Sequence, residues 1–258
     1  MRSLKLCWSS SKKNFGDWLS PVICGHLSGL PVVHADPEHC DLIAIGSVLS
    51  RVKEGWIRKR IHVWGSGYIE AQPVKTSKHF YHAVRGHKTA ALLKDVQIKA
   101  VGDPGLLCDL IYPEFSEVKK EYALGLVPHY KDASHPIIAQ LAATFPRTKV
   151  LNVFSDTTEF LRDLSRCEFV ISSSLHGLIA SDSFGIPNAW AKMSDAIKGG
   201  DFKFRDYYSV FGIENPTPLV LNPDLSAKEL DSLARDYKRP GIEAIKRGLI
   251  ESFPFPRS

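Results

Sequence analysis

The 258 residues contain no run of roughly 18 apolar side chains, the longest lying near Leu42 to Leu49. A membrane-spanning helix is therefore not expected, and any membrane contact would be peripheral. The first ten residues carry one early arginine and no apolar stretch ahead of a small-residue cleavage site, so no secretory leader is expected and the sequence points to the cytoplasm. Cysteine is scarce, odd in number and widely spaced: Cys7, Cys24, Cys40, Cys108 and Cys167 include no C-x-x-C. That pattern argues against a disulfide framework or a zinc knuckle and leaves reduced, mostly buried thiols. Charge excess is small too. With 33 Lys+Arg against 28 Asp+Glu the net charge is +5, and without a helix-turn-helix, RRM or zinc-finger pattern no nucleic-acid partner is expected.

What remains is an ordinary globular composition, 44% hydrophobic and 24% charged, long enough for one large domain or two smaller ones. Short apolar runs alternate with helical patterns, the rhythm of parallel α/β construction. Strand-like runs fall at Leu4 to Trp8, Leu42 to Ile45, Ile61 to Trp64, Phe80 to Val84, Ile98 to Val101, Tyr122 to Val127, Val150 to Phe154, Phe169 to Ile171 and Pro187 to Ala191. Helices are expected over Asp17 to Ser28, Lys88 to Lys94, His135 to Thr144, from the Asp156 cap onward, Ser172 to Phe184, Ser226 to Tyr237 and Gly241 to Glu251. Pro113 and the charged residues after it place a boundary near 118. The expected architecture is two Rossmann-like domains, 1–118 and 119–258, facing a cleft.

Residues able to carry chemistry cluster where strands run into helices. From Ala71 to Lys94 there is no acidic residue, while Lys75, Lys78, Arg85, Lys88, Lys94, His79, His82 and His87 are all present. A solvated basic face accounts for such a run as well as an anion site does. Arg85 is more specific, because it follows the strand Phe80 to Val84 directly, where open parallel sheets place ligand-binding side chains, and its guanidinium suits phosphate or carboxylate. Gly65-Ser66-Gly67 ends another strand and would let backbone N–H groups approach an oxyanion. Asn14 and Asp17 flank the first strand-to-helix turn, Asn14 placed to orient a ligand and Asp17 serving equally as a helix cap or a catalytic carboxylate. In Ile171 to Ala180, a strand ending in Ser172, Ser173 and Ser174 meets a helix opening on His176-Gly177. Hydroxyls, backbone donors and an imidazole would converge there at a positive helix end. Downstream, Lys192, Lys198, Gly199-Gly200, Lys203 and Arg205 form a basic segment with a mobile double glycine, and Lys203, between Phe202 and Phe204, is the lysine best placed to point inward. Arg51, Lys53, Trp56 and Arg58-Lys59-Arg60 make a basic and aromatic cluster compatible with an anionic membrane surface.

The run Ser173 to Ala180 followed by Gly185-Ile186-Pro187, together with Asn14-Phe15-Gly16-Asp17 and Val84-Arg85-Gly86, resembles the polysaccharide pyruvyl transferase family. The size and the basic middle segment look like the ketal-pyruvate transferases of bacterial exopolysaccharide synthesis, such as the xanthan type. The resemblance implies a GT-B-like pair of domains, the N-terminal one on the acceptor side and the C-terminal one on the donor side. It also implies phosphoenolpyruvate as donor, a terminal sugar of a lipid-linked oligosaccharide as acceptor, and a place at the cytoplasmic face of the inner membrane. Carried residue by residue, Arg85 matches the family's strand-end arginine, His176 its His-Gly histidine and Lys203 a lysine beyond the Gly-Ile-Pro strand. Many relatives have arginine two residues before the histidine, where Ser174 stands here, so one anion contact must come from elsewhere, with Lys192, Lys198 and Lys203 as candidates.

Such a transfer needs an acid near the donor methylene, a base near the sugar hydroxyl and cations on the leaving phosphate. His176, Arg85 and Asp17 are the catalytic candidates; Asn14, Gly65, Ser66, Gly67, Ser172, Ser173, Gly177 and Lys203 are the substrate-binding ones, with no metal and no organic cofactor. On sequence grounds His176→Ala and Arg85→Ala should both keep the fold and lose turnover by about a hundredfold or more. Two other readings use the same architecture. One is a nucleotide-sugar glycosyltransferase, for which only Asp195 and Asp201 stand where a ribose would be held; the other is a non-catalytic glycan- or anion-binding protein.

Overall fold

A computed structural model describes residues 2–54, 59–194 and 199–257. In its first half the chain forms β1 (Leu4–Cys7), β2 (Val32–His34), β3 (Leu42–Ile43), β4 (His62–Trp64), β5 (Lys75–Thr76), β6 (Phe80–Val84), β7 (Leu93–Lys94) and β8 (Ala100–Val101). β5 and β7 pair only with each other, and the other six form one parallel sheet in the order β2-β1-β3-β4-β6-β8. The second half contributes β9 (Tyr122–Val127), β10 (Thr148–Val150), β11 (Cys167–Ser172), β12 (Asn188–Lys192) and β13 (Leu219–Val220), parallel in the order β10-β9-β11-β12-β13. Among the described residues the α-helices are α1 (Phe15–Ser28), α2 (His87–Ala90), α3 (Cys108–Ile111), α4 (Pro136–Thr144), α5 (Thr157–Ser165), α6 (Leu175–Ser183), α7 (Phe202–Tyr208), α8 (Ala227–Asp236) and α9 (Ile242–Glu251), with short 3₁₀ turns between them. The architecture is α/β with parallel sheets, as the alternating rhythm requires.

Local chemistry explains where expected elements stop. The strand anticipated over Val150 to Phe154 ends at Val150, because Asn152 turns the chain: its side chain accepts from Phe154 N–H at 3.0 Å and its carbonyl from Ser155 N–H at 3.0 Å. The helix anticipated over Lys88 to Lys94 ends at Ala90. Leu92 N–H bonds back to Thr89, and the chain turns to pair Leu93–Lys94 with β5. The basic segment after β12 is helical from Phe202, forming α7. Lys198 and Asp195 lie outside the described residues, as do Trp56 and Arg58.

The two sheets are joined by more than the chain between them. Phe15, opening α1, donates its N–H to Val153 carbonyl at 2.9 Å and stacks its ring on Phe160 at 3.5 Å. Residue 118 falls between β8 and β9, but the C-terminal segment returns to the first sheet. Trp64 Nε1 donates to the Leu249 carbonyl at 2.9 Å, Trp64 packs edge-on against Phe253, and Arg257 N–H bonds Leu27 carbonyl at 3.2 Å. Gly102 permits that return, since a Cβ there would stand 2.7 Å from Ile245 Cγ2. All five cysteines are buried and free, and among the described residues no helix is long and apolar enough to cross a membrane.

Candidate active site

In an open parallel sheet, a side-chain site forms at the carboxyl edge where the strand order reverses, because the loops from the two strands flanking that point diverge and leave a crevice. Here each sheet has such a point, between β1 and β3 in the first and between β9 and β11 in the second. The loops leaving these four strands line one cavity of about 210 Å³: Ser9, Asn14 and Asp17 after β1, Ser47 and Arg51 after β3, His129 and Tyr130 after β9, and Ser174, Leu175 and His176 after β11. Ile69, Val153 and Lys203 complete most of the wall.

Two helix starts meet there. α1 is capped by Asn14, whose Oδ1 accepts from Asp17 N–H at 3.0 Å while its Nδ2 donates to Asp17 Oδ2 at 2.6 Å. The capping role thus belongs to Asn14, and Asp17 is held at the cavity with one carboxylate oxygen toward Gly46. α6 begins at Ser174 with no side-chain cap, so its positive end is open to the cavity. His176 lies against α1: a Cβ on Gly16 would stand 2.2 Å from its Nδ1, so only glycine at 16 leaves room for the imidazole. His176 Nε2 is buried without a hydrogen-bond partner among the described residues.

The electrostatics separate the titratable groups. Burial, then the charges of Lys203 and Arg85, push the His176 imidazole down to about 3, so it is neutral at pH 7. Burial likewise pushes His129 down to about 4. Burial raises the Asp17 carboxyl above its ordinary range, against the Asn14 hydrogen bond and the Arg51 and Lys203 charges that pull it down. Lys203 is only 9% exposed, and no hydrogen bond or ion pair holds its ammonium among the described residues; its nearest aromatic neighbour is the Phe204 ring, 5.1 Å from Nζ. Burial and the Arg85 charge bring it down to about 8, with Asp17 and Asp132 opposing.

Between about pH 8 and the ordinary lysine value the unfolded chain binds more protons at this position than the folded one, so stability rises with pH across that window. Below it, the buried charge is an uncompensated cost. Lys203→Met is therefore expected to melt higher than wild type at pH 7, by about 2–4 °C for each kcal/mol relieved. The same variant should also flatten the rise in stability above pH 8, as thermal melts across pH will show.

Arg85 lies beneath this wall and not on it. It is completely buried. Its Nε donates to Asp206 Oδ2 at 2.9 Å, its Nη1 to Ser47 Oγ at 2.7 Å and its Nη2 to the Tyr68 carbonyl at 2.5 Å. Asp206, also fully buried, accepts in addition from Thr89 N–H and Thr89 Oγ1, both at 2.7 Å. Since Asp206 sits one turn after Lys203 in α7, and Ser47 precedes Arg51, the guanidinium ties together the two segments that bring cations to the cavity. α7 comes close enough that a Cβ on Gly86 would fall 1.8 Å from the Asp206 carbonyl oxygen.

The other sequence candidates fall as follows. Ser172 and Ser173 are fully buried. Ser172 Oγ bonds the Val127 and Ser174 carbonyls at 3.1 and 2.8 Å, and Ser173 Oγ donates to Asp132 at 2.9 Å while accepting from His129 N–H at 2.9 Å. Both hydroxyls shape the turn, and Ser174 is the one on the cavity wall. Gly177 is a packing glycine, a Cβ there meeting Ser172 Oγ at 2.5 Å. The Gly65-Ser66-Gly67 amides are not aimed at the cavity. Gly65 and Gly67 N–H bond the carbonyls of Ala83 and Gly46, Ser66 Oγ bonds the Gly46 carbonyl, and the missing side chain of Gly67 makes room for the Arg85 guanidinium at 2.6 Å. In the acid-free segment three of the other basic residues have partners of their own: His79 faces Glu54 at 3.5 Å, His82 pairs with His62 at 2.7 Å, and Lys75 lies over the Tyr68 ring. Asp201 pairs with Arg205 at 3.8 Å. Arg51, His129, Tyr130 and Ser47 are wall residues that sequence reading did not place in the site.

A larger groove, about 670 Å³, runs between β12, β13 and the end of α8. Its one arginine is already committed: Arg239 bonds Asp182 at 2.8 Å, and Asp182 also accepts from Tyr207, Tyr237 and Asn188. The groove's other cation among the described residues, Lys238, shares a mainly apolar lining with Asp236, whereas the smaller cavity gathers Arg51 and Lys203 among polar side chains and is the better anion site.

A family model described as polysaccharide pyruvyl transferase matches residues 4–191, which include every cavity residue named above except Lys203. The chain is 31% identical over 179 residues to an uncharacterized protein of Acanthamoeba polyphaga mimivirus, covering 66% of this chain and 60% of that one. It is 28% identical over 216 residues to the succinoglycan biosynthesis protein ExoV of Rhizobium meliloti (strain 1021), covering 80% of this chain and 64% of that one. The chain thus spans less than two thirds of the length of either relative.

Proposed function

The chain belongs to the polysaccharide pyruvyl transferase family, and from that premise we propose that it transfers pyruvate from phosphoenolpyruvate to a terminal sugar of an exopolysaccharide repeat unit, forming a cyclic ketal and releasing phosphate. The observation that carries the reading is Lys203, buried beside the open end of α6 with no hydrogen bond or ion pair among the described residues. A cation without a counterion costs stability, and a cavity built around one is complementary to a small polyanion. The two sheets with facing reversal points are the GT-B-like arrangement in this proposal, and the acceptor is lipid-linked, met at the cytoplasmic face of the inner membrane. The succinoglycan role of ExoV supports an exopolysaccharide acceptor.

The roles follow from the environments, which push two titratable groups in opposite directions. Asp17, raised by burial, protonates the donor methylene carbon, leaving C2 oxocarbenium-like. The neutral His176 accepts the proton of the first sugar hydroxyl as its oxygen bonds to C2. The second hydroxyl then adds at C2 as the C2–O bond to phosphate breaks. Of the two hydroxyl protons, one replaces the proton now in the methyl group and the other leaves with phosphate. Lys203 neutralises that leaving group, while Asn14 orients Asp17. The scheme uses no metal or organic cofactor.

The test is incubation with phosphoenolpyruvate and a panel of lipid-linked oligosaccharides. One phosphate should appear per ketal formed, and none in the absence of a competent acceptor. Consumption of a nucleotide sugar with glycosyl transfer to the same acceptors, and no ketal, would replace this reading with the glycosyltransferase one.

A further inference from the structure

Arg51 reads in the sequence as part of a basic surface cluster, but the structure separates it from its neighbours. Lys53 pairs with Glu38 at 3.7 Å, Lys59 pairs with Asp41, and Arg60 lies over the Phe80 ring. Arg51, ending the short 3₁₀ turn Leu49–Arg51, lines the active-site cavity instead. The turn is fixed from below: Leu49 is buried, its N–H bonds the Gly67 carbonyl, and Ser47 just before it accepts from Arg85. Among the described residues the guanidinium makes one long contact, Nη2 to Ser9 Oγ at 3.4 Å, which leaves most of its donors for the cavity or solvent.

Charge balance gives this placement a purpose. Phosphoenolpyruvate carries a phosphate and a carboxylate, and among the described residues the wall opposes them with Lys203 and Arg51 as its only Lys or Arg side chains. Asp17, which carries the proton to be delivered in the proposed reaction, supplies no cation, and Ser174 offers only a hydroxyl. Lys203 alone cannot neutralise two anionic groups. Arg51 comes from the loop after β3 and lines the same cavity as the start of α6, and a guanidinium fork matches either group in bidentate geometry.

We propose that Arg51 is a substrate-binding residue that supplies the second cationic contact to the anionic donor, from the first sheet. The inference rests on the proposed function for the identity of the donor, but not for the existence of the anion subsite.

Calorimetric titration of phosphoenolpyruvate and of inorganic phosphate into wild type, Arg51→Ala and Arg51→Lys separates the two. Arg51 is exposed, so the alanine variant is expected to fold, which circular dichroism checks. Phosphoenolpyruvate binding should weaken at least about tenfold in Arg51→Ala and recover in part in Arg51→Lys, as for loss of a charge-assisted contact. Equal weakening of inorganic phosphate assigns the contact to the phosphoryl group, and an effect on phosphoenolpyruvate alone assigns it to the carboxylate. Unchanged phosphoenolpyruvate affinity in Arg51→Ala overturns the inference while leaving the donor assignment intact. If wild type binds phosphate but not phosphoenolpyruvate, and Arg51→Ala loses the phosphate, the donor assignment falls and the subsite stands. Binding of neither ligand by wild type overturns both.

Discussion

His176→Gln is expected to lose turnover by at least about a hundredfold, the scale of a lost general base, while its melting temperature at pH 7 stays close to wild type. Glutamine fits beside Gly16 without the Cβ conflict that a change at 16 would create, and no hydrogen bond of Nε2 is forfeited. The pH dependence gives a sharper signature. An imidazole held near 3 is already unprotonated at pH 5, so kcat/KM, which reports the free enzyme, should show no acid limb near 6.5 from this residue. Binding of an anionic donor adds negative charge beside the ring and moves its pKa upward, so the corresponding limb of kcat should lie at higher pH than that of kcat/KM. Stability carries the same information. From about pH 6.5 down to about 3 the unfolded chain takes up a proton at this histidine that the folded chain does not, so wild type loses stability as pH falls through that window. His176→Gln should lose less. A glutamine variant with full turnover would remove His176 from the chemistry.

The second large effect concerns Arg85. The sequence alone suggests that Arg85→Ala would leave the fold unharmed, but the guanidinium is completely buried against an equally buried carboxylate. Removing one member of such a pair strands the other, a loss of about 3–5 kcal/mol. Denaturant unfolding of Arg85→Met should show that loss. Turnover should fall as well, because Asp206 anchors α7, which carries Lys203, and Ser47 leads into the turn that carries Arg51. Arg85→Met combined with Asp206→Leu removes both charges and should recover much of the stability, as apolar replacement of a buried ion pair does elsewhere, without recovering turnover. Recovery of both would mean that the pair serves stability alone. An Arg85→Met protein as stable as wild type would show that the buried pair contributes little.

How far the sequence discloses this site depends on the sequence distance over which each residue acts. Asn14, Asp17 and His176 are legible because each sits at a strand-to-helix turn, and the hydrophobic period locates such turns from a few neighbours. Lys203 is legible because it stands in an aromatic-rich stretch just beyond the Gly-Ile-Pro strand, and a lysine set among large apolar side chains is a candidate to lie at an interior edge. The role of Arg85 is not, since its partner Asp206 lies 121 residues away and no local pattern pairs them. Ser172, Ser173 and Ser174 form one hydroxyl run, yet only Ser174 reaches the cavity wall; which hydroxyl is spent on the turn depends on backbone carbonyls such as that of Val127 in the next strand. Arg51 and His129 carry no motif of their own. Their signal is positional, the loops after β3 and β9, and it becomes visible only when the strand order shows that these strands flank the two reversal points. The return of α9 to the first sheet is hidden for the same reason, being written in Trp64, Gly102 and Leu249 and not in any single segment.

The proposed reaction begins with the donor, and donor binding tests it most directly. Calorimetric titration of wild type with phosphoenolpyruvate and with a set of nucleotide sugars, each repeated on Lys203→Met, is the measurement to make. Selective binding of phosphoenolpyruvate that falls by at least about tenfold when the Lys203 charge is removed is the expected result. Tight binding of a nucleotide sugar, with no response to phosphoenolpyruvate, would contradict it.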